Sequence, residues 1–214
     1  MTPDERGSPA GADAGLRVRV KAELRKRMRG LRKTLPASAC AERSARIVGR
    51  LLELEPLGRA RTVALFWPIE ERHEVDLRAL DARLRERGVR VAYPAVDPET
   101  GVMTFRFVKR PDAMLEQGFG FREPAMTEPE AAAGDLDVVV VPALAVDPRG
   151  HRIGYGAGYY DRTLPRFVPS AISVVVAFDF QLLSELPETE RDVTAAWIVT
   201  DARTLAATAG DAVR

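Results

Sequence analysis

The sequence LDVVVVP, residues 136–142, contains four consecutive valines and decides the fold class. A continuous β-branched run of this kind is typical of a strand that is buried on both faces of a sheet. Similar apolar runs occur as TVALFW (62–67), VRVAYP (89–94) and ISVVVAF (172–178). We therefore predict a sheet whose central strands are covered on both sides.

Helical patterns alternate with these runs. Apolar residues at steps of three and four predict three helices. The first carries Leu24, Met28, Leu31 and Leu35 and is stopped by Pro36, and the second starts from an N-cap at Ser38 and carries Ile47, Leu51 and Leu54 inward. The third spans residues 75–87 and ends at Gly88. MTFRFV (103–108) alternates as a half-buried strand should, and WIVT (197–200) is the last predicted strand. Helices between strands imply right-handed crossovers. The prediction is a single three-layer α/β domain with a mainly parallel, Rossmann-like sheet flanked by helices.

The chain of 214 residues is long enough for one α/β domain with tails. Residues 1–15 are rich in Gly, Ala, Pro and Asp, so we expect a disordered N-terminal tail, a domain over 16–205 and a C-terminal tail over 206–214. The N-terminus has no apolar core like that of a signal peptide. No segment approaches the roughly 18 apolar residues that a membrane span needs. We expect a cytoplasmic monomer without a membrane partner.

The charge balance limits the classes of partner. The chain has 32 Lys and Arg against 31 Asp and Glu, which argues against a bulk nucleic-acid binder. Residues 17–33 hold nine basic residues and one Glu, a pattern typical of a solvated helix face and also compatible with an anion site. The single Cys40 excludes an internal disulfide framework and a Cys-rich zinc site. His73 and His151, expected at the surface, are too few for a zinc site.

A glycine-rich segment, RIGYGAGYYDR (152–162), follows the central strand. In a doubly wound sheet, ligands bind at the carboxyl ends of the strands, so this segment is expected at the functional edge. Gly154, Gly156 and Gly158 allow positive φ angles and a close approach of the backbone to an anion. Successive amides can then form a concave nest, and a helix starting near Tyr159 would direct its positive end toward it.

Charged side chains in the same segment extend this interpretation. Arg152 and Arg162 can contact phosphate in a bidentate manner. Asp161 would repel phosphate unless it held Mg²⁺, which takes carboxylate and phosphate oxygens together. The spacing matches neither a Walker loop nor the dinucleotide GxGxxG pattern. The hypothesis is a phosphate-binding loop with a metal ligand, and the alternative is a Gly-rich surface turn with aromatic packing.

The stretch VPALAVDPRGHRIGYGAGYYDRTL (141–164) resembles the signature of the 5-formyltetrahydrofolate cyclo-ligase family, approximately P-G-L-A-F-D-x-x-G-x-R-L-G-Y-G-G-G-Y-Y-D-R. Other features of that family agree in order along the chain: K-x-x-L-R at Lys21, Leu24 and Arg25, Glu-Val-Asp at 74–76, Tyr-Pro at 93–94, Met-Thr-Phe at 103–105 and an Asp at 192. Departures from the pattern are Ala143 and Ala157 for Gly, Val146 for Phe, and Asp201 for Glu. Among these, Ala157 is the one with a chemical consequence, because its methyl group would narrow the nest if the position needed a positive φ.

The resemblance implies an enzyme that uses ATP and Mg²⁺ to convert 5-formyltetrahydrofolate into 5,10-methenyltetrahydrofolate, releasing ADP and phosphate. In this chemistry the γ-phosphoryl group is transferred to the formyl oxygen, N10 attacks the activated carbon, and phosphate departs as the ring closes. The family's ATP contacts correspond to Lys21, Arg25, Arg152, Gly154, Tyr155, Gly156, Ala157, Gly158, Tyr159 and Tyr160. Its substrate contacts correspond to Ile69, Glu74 and residues 155–159, its metal ligands to Asp161 and Asp192, and its catalytic residues to Arg152, Tyr159 and Asp161.

Several alternatives stay open from the residues alone. Glu74 could merely favour a helix N-terminus, and Asp192 could be a turn residue. The same α/β scaffold could serve another ATP- or sugar-phosphate-using enzyme. A non-catalytic, family-related nucleotide- or RNA-binding protein is the other reading, although the near-zero net charge and the lack of an aromatic RNA-binding motif count against nucleic acid as a partner.

Overall fold

The computed structural model describes residues 9–117, 121–189 and 192–208. Its α-helices are α1 (Pro9–Lys33), α2 (Ala37–Glu53), α3 (Glu55–Arg59), α4 (Arg78–Glu86) and α5 (Tyr159–Thr163). Its strands are β1 (Thr62–Ala64), β2 (Arg90–Val96), β3 (Met103–Phe107), β4 (Leu115–Gln117), β5 (Phe121–Glu123), β6 (Val138–Pro142), β7 (Ala145–Val146), β8 (Arg152–Ile153), β9 (Ile172–Val176), β10 (Trp197–Val199) and β11 (Thr204–Ala206). In the described part of the chain, no helix is long and apolar enough to cross a bilayer.

Seven strands form one sheet in the order β11-β10-β9-β6-β1-β2-β3. The five strands from β10 to β2 pair in parallel, and β11 and β3 pair antiparallel at the two edges. The central position of β6 explains its run of valines, because both of its neighbours are strands and both of its faces are covered. The predicted mainly parallel α/β sheet is confirmed.

The valines of β6 contribute to two separate cores. Val138 and Val140 belong to the core on one face of the sheet, where α2 and α4 pack, and Val139 and Val141 belong to the core on the other face. All four are at most 1% exposed. Burial of a side chain of this size stabilises a fold by roughly 1.5–3 kcal/mol, so both helix-covered faces depend on this one strand.

The order in which strands are added to the sheet reverses at β1. From β1 it proceeds to β2 on one side, and it later places β6 on the other side of β1. Ligand sites of open α/β sheets lie at such switch points, beyond the carboxyl ends of the strands. The loop after β1 leads through a 3₁₀ turn at Glu70–Arg72 to Glu74, and the loop after β6 leads through the β7–β8 hairpin to the glycine-rich segment.

The ends of the domain differ from the prediction. α1 begins at Pro9, so it overlaps residues 9–15 of the segment for which a disordered tail was predicted, and Asp13 pairs with Arg17 within it. At the other end, β11 extends to Ala206, and the Thr208 amide donates to the carbonyl of Pro148 over 3.0 Å. The remaining predicted tail residues, 1–8 and 209–214, lie outside the described residues.

Two internal boundaries also differ. α2 begins at Ala37 with Pro36 at the N-cap and without a side-chain cap, so Ser38 is not the cap that we predicted. The φ of Pro36 is −60° and its ψ is 146°, an extended conformation that ends one helix and starts the next. The third helix begins at Arg78 rather than at 75. Its predicted stop at Gly88 agrees with a φ of +76° there.

Candidate active site

A short hairpin positions the glycine-rich segment. β7 and β8 pair antiparallel, and the fully buried Asp147 holds the turn between them. Its Oδ1 accepts hydrogen bonds from the amides of Arg149 and His151 at 3.0 and 3.1 Å, and its Oδ2 accepts one from the Leu186 amide at 3.1 Å. Arg149 Nη2 also donates to Oδ2 over 3.2 Å, so each oxygen of this carboxylate accepts two hydrogen bonds and the segment leaves the hairpin in a defined direction.

The glycine loop, residues 154–158, has the backbone that its composition indicates. Gly156 and Gly158 have φ angles of +106° and +69°, whereas Gly154 has no positive φ. A Cβ atom at position 158 would lie 2.9 Å from Arg162 Nη1. Among the described non-glycine residues only His73 has a positive φ, so Ala157 does not need the conformation that glycine favours. The departure at Ala157 therefore costs the loop nothing in backbone strain.

A cavity of about 230 Å³ lies between this loop, α1 and the segment before β10. It brings together most of the residues singled out from the sequence: Lys21, Arg25, Arg152, Gly154, Tyr155, Gly156, Ala157, Gly158, Tyr159, Tyr160, Asp161 and Asp192, with Pro142, Ala143 and Ile153 completing the wall. These residues are up to 171 positions apart. A surface turn with aromatic packing would not require such a convergence of charged side chains.

Three cations face the cavity, each held by a specific partner. Arg152 is 9% exposed and donates from Nη2 to Asp161 Oδ1 over 2.7 Å and from Nη1 to the Val193 carbonyl. Arg25 Nε donates to the Gly154 carbonyl over 3.0 Å. Lys21 Nζ lies 2.5 Å from Asp192 Oδ2. Burial lowers the pKa of Arg152, an effect that the nearby Asp161 carboxylate opposes.

Asp161 and Asp192 differ in their remaining capacity to bind a metal. Asp192 Oδ2 accepts from Lys21 and from the Thr189 amide, and its Oδ1 accepts from the Thr189 hydroxyl. Burial acts to raise the pKa of Asp192, but the hydrogen bonds from Lys21 and Thr189 outweigh it, and the pKa lies below its usual value. Asp161 uses Oδ1 for Arg152, and within the described residues its Oδ2 has no hydrogen-bond partner. Two carboxylates on one cavity suit a Mg²⁺ ion that also takes phosphate oxygens and water.

The described residues contain no group of three or more His, Cys, Asp or Glu side chains that could hold a metal ion. A Mg²⁺ ion at this cavity would therefore need further ligands from outside the protein, besides one or two carboxylates. That requirement fits nucleotide phosphates, since Mg²⁺ is usually bound through one or two carboxylates plus substrate oxygens. Asp161 fits the role of a direct ligand, whereas Asp192, whose two oxygens already accept three hydrogen bonds, suits the positioning of Lys21.

Glu74 and Ile69 lie beside the cavity rather than in its wall. Glu74 is 8% exposed, and its Oε2 accepts a hydrogen bond from the Ile69 amide at 3.0 Å. Together with Pro142 and Ala143 it borders a void of about 10 Å³. Tyr155 connects the two regions, since burial and then the Glu74 carboxylate raise the pKa of its hydroxyl. Glu74 does not begin a helix, because α4 starts at Arg78.

Arg32 is a residue that the sequence analysis did not select. It is 3% exposed, and its Nε and Nη1 donate to the His73 carbonyl over 3.0 Å and to the Tyr155 hydroxyl over 3.2 Å. His73, expected at the surface, is half-buried, and its Nδ1 donates to the Arg32 carbonyl over 2.9 Å. Within the described residues, Arg32 Nη2 has no partner. The seven-residue spacing from Arg25, two turns along α1, is the sequence signal that points to it.

These contacts bear on the two interpretations of the basic residues 17–33 of α1, namely a solvated helix face and an anion site. Lys21, Arg25 and Arg32 direct their charged groups to the protein itself, at Asp192, Gly154 and His73. Lys21 and Arg25 therefore contribute to the cavity, and Arg32 contributes to the adjoining region around Glu74, rather than to a solvated face. Other basic residues of α1, such as Lys26 and Arg27, are exposed.

The fold and the cavity together are those of an α/β enzyme with a candidate site at the switch point of a mainly parallel sheet. A model of the 5-formyltetrahydrofolate cyclo-ligase family matches residues 17–201. The chain therefore belongs to the 5-formyltetrahydrofolate cyclo-ligase family, and it is a ligase.

Individual relatives agree with this assignment. The chain is 35% identical over 193 residues to a 5-formyltetrahydrofolate cyclo-ligase of Mycolicibacterium smegmatis, an alignment that covers 88% of this chain and 97% of that protein. It is 28% identical to the protein of the same name from Escherichia coli, covering 82% and 97%. The solution structure of Aquifex aeolicus 5,10-methenyltetrahydrofolate synthetase superimposes with a TM-score of 0.77 at 29% identity, covering 91% and 96%.

Proposed function

We propose that this ligase cyclises 5-formyltetrahydrofolate to 5,10-methenyltetrahydrofolate with ATP and Mg²⁺, releasing ADP and phosphate. The observation that carries the proposal is the single cavity in which Lys21, Arg25 and Arg152 surround a loop with two positive-φ glycines. Three cations at one backbone nest suit a polyphosphate. The family membership supplies the folate substrate and the direction of the reaction.

The glycine loop and the cations contribute to nucleotide binding in different ways. The positive φ angles of Gly156 and Gly158 let consecutive amides contribute to a concave anion site. Arg152 can compensate the charge that develops on the transferred phosphoryl group, because it is already held in place by Asp161 and Val193. Lys21 and Arg25 approach from α1 and neutralise the charge of the other phosphates.

The proposed reaction has two steps, a phosphoryl transfer and a ring closure. A lone pair of the formyl oxygen attacks the γ-phosphorus, the bond to the β-phosphate oxygen breaks, and ADP leaves. The N10 lone pair then forms a bond to the formyl carbon, the carbon–oxygen bond breaks, inorganic phosphate departs, and the N10 proton passes to solvent. Both steps require close alignment more than acid–base catalysis, so positioning by the protein is the main contribution.

Mg²⁺, when bound beside Asp161, would neutralise phosphate charge and orient the γ-phosphoryl group. On the folate side, the buried Glu74 carboxylate suits the hydrogen-bond donors of a pterin edge, and the Ile69 amide keeps that carboxylate oriented. Tyr155 stands between the two substrates, because it lines the cavity and its hydroxyl accepts from Arg32. Tyr159 and the rest of residues 155–159, which line the cavity, would contact both ATP and folate in this proposal.

An absorbance assay tests this proposal. Purified protein with 5-formyltetrahydrofolate should generate the near-ultraviolet absorbance of the methenyl product only when ATP and Mg²⁺ are both present. EDTA should abolish the signal, and added Mg²⁺ should restore it. ADP and phosphate should form in a one-to-one ratio with the product. ATP hydrolysis without product, or product without ATP, would contradict the proposal.

A further inference from the structure

A short turn beside the candidate site has a strained backbone at His73. The φ of His73 is 49° and its ψ is 47°, and in the part of the chain that the structure describes it is the one residue other than glycine with a positive φ. This left-handed conformation is costly for a residue with a side chain, because Cβ then lies close to the following carbonyl oxygen. Strained residues persist only where their surroundings hold them, and they concentrate at functional sites.

The left-handed conformation of His73 determines where the Glu74 side chain points. The Arg72 amide donates to the Ile69 carbonyl over 3.0 Å, which forms a 3₁₀ turn. The His73 amide closes this turn by donating to the Glu70 carbonyl over 2.9 Å. The positive φ then ends the turn, and Glu74 Oε2 reaches back to accept from the Ile69 amide over 3.0 Å. A right-handed residue at this position would extend the turn and carry Glu74 away from that amide.

The imidazole of His73 fastens the turn to α1. Its Nδ1 donates to the Arg32 carbonyl over 2.9 Å, and Arg32 Nε donates back to the His73 carbonyl over 3.0 Å. The α-helical partner of the Arg32 carbonyl would be the amide of residue 36, but that residue is a proline and has no amide proton. The Leu35 amide reaches the same carbonyl at 3.2 Å. His73 therefore supplies a donor that the end of the helix lacks.

Both members of this pair adjoin residues that we assign to the folate. Arg32 Nη1 donates to the Tyr155 hydroxyl over 3.2 Å, and Arg32 and Glu74 border the same void of about 10 Å³. His73 and Glu74 line a neighbouring cavity of about 220 Å³ beside α2. His73 is absent from the wall of the cavity at the glycine loop. An effect of His73 on the reaction would therefore be exerted through Glu74.

We propose that His73 is a positioning residue, and that its left-handed backbone and its hydrogen bond to α1 hold the Glu74 carboxylate in the orientation that recognises the pterin. The inference rests on the proposed function, in which Glu74 contacts the folate. The positive φ directs the carboxylate, and the imidazole keeps the turn from shifting along α1. The ATP site should be spared, because Arg25 lies seven residues, about 10 Å, earlier on the helix.

Steady-state kinetics of His73 variants test the inference, with KM measured for 5-formyltetrahydrofolate and for ATP. His73→Gly keeps the left-handed backbone, which glycine adopts freely, but removes the imidazole. His73→Asn keeps both features, because Asn visits the left-handed region and its side-chain NH₂ is bonded to Cγ, as Nδ1 of His is. Glu70→Gln is the matched control, since Glu70 lies in the same turn, is 71% exposed and pairs with Arg78.

His73→Gly should raise the KM for folate roughly three- to tenfold, the factor that one hydrogen bond contributes, and alter the KM for ATP less than twofold. His73→Asn and Glu70→Gln should keep both constants within about twofold of the wild type. His73→Gly combined with Glu74→Gln should raise the KM for folate no further than Glu74→Gln alone, because His73 acts through Glu74. Thermal unfolding of each variant verifies that the fold is intact.

Three results would overturn the assignment: an unchanged KM for folate in His73→Gly, an equal rise in its KM for ATP, or an effect that adds to that of Glu74→Gln. A His73→Asn variant as impaired as His73→Gly would also overturn it, since the hydrogen bond to Arg32 would then not be the cause. A wild type that does not turn over 5-formyltetrahydrofolate would contradict the proposed function itself. Turnover that His73→Gly leaves unaffected would contradict only the role of His73.

Discussion

Lys21 and Asp192 form an ion pair with Nζ 2.5 Å from Oδ2, although 171 positions separate them in the sequence. Their side chains are only 11% and 14% exposed, and both line the cavity. The pair links α1 to the segment before β10 and keeps an ammonium group at the cavity. Asp192 is in turn oriented by two hydrogen bonds from Thr189. One side of the proposed nucleotide site thus depends on a contact between the two ends of the domain.

Replacement of Asp192 by Asn should release Lys21 and raise the KM for ATP about tenfold, with a smaller effect on the KM for folate.

Because hydrogen bonds lower the pKa of Asp192 in the folded state, its stabilising contribution is present above its unfolded pKa of about 4 and is lost as the pH falls through the folded value. The difference in Tm between wild type and variant should therefore be constant from pH 8 to about pH 5 and shrink below pH 4. A difference that grew on acidification would refute this assignment. Asp112→Asn, at an exposed pair with Arg110, should leave the KM for ATP unchanged.

Replacement of Asp161 by Asn should reduce turnover at least a hundredfold at ordinary Mg²⁺ while the protein stays folded. The substitution removes the carboxylate that faces Arg152 and the oxygen that we assign to Mg²⁺. Binding of Mn²⁺ in the presence of ADP, followed by electron paramagnetic resonance, should weaken in parallel and gives a readout independent of turnover. A near wild-type rate, or unchanged Mn²⁺ affinity, would remove Asp161 from the metal site.

The glycine loop gives a prediction with an internal control. Gly158→Ala introduces a methyl group at a φ of +69° and within 2.9 Å of Arg162 Nη1, so it should raise the KM for ATP tenfold or more. Ala157→Gly alters the neighbouring residue, where no positive φ is required. It should leave the KM for ATP within about twofold and lower stability by about 0.4–1 kcal/mol, because glycine adds unfolded-state entropy. Improved ATP binding in Ala157→Gly would show that the methyl group does crowd the nest.

Arg32→Lys tests the link between α1 and the loop that carries Glu74. A lysine keeps the charge but cannot donate to both the His73 carbonyl and the Tyr155 hydroxyl, because it lacks the guanidinium fork. The KM for folate should rise about tenfold while the KM for ATP changes less than twofold. Equal changes in both constants would indicate a general loss of structure instead. Arg27→Lys, at an exposed position of the same helix, should alter neither constant.

Local properties of the residues were sufficient for much of the fold and of the candidate site. The valines of β6 predicted a central strand because β-branched runs without polar interruptions suit burial on both faces. Gly156 and Gly158 predicted an unusual backbone because only glycine adopts positive φ without strain. Helix boundaries were less predictable. The start of α1 at Pro9 and of α2 at Ala37 depends on weak propensities and on flanking contacts rather than on one strong signal.

The pairing of charges required the three-dimensional structure. The chemistry of the glycine-rich segment pointed to Asp161, and the family resemblance pointed to Lys21 and Asp192. Neither indicated that Lys21 would bind Asp192 or that Arg152 would be buried against Asp161. Nor could they reveal that Tyr155 lines both the cavity and a neighbouring groove, which is formed with Arg29, Lys33, Glu71 and Arg72. The physical reason is range. Burial preference and backbone conformation are encoded within a few neighbouring residues, whereas an ion pair such as Lys21–Asp192 needs two distant segments that only the folded chain brings within 4 Å.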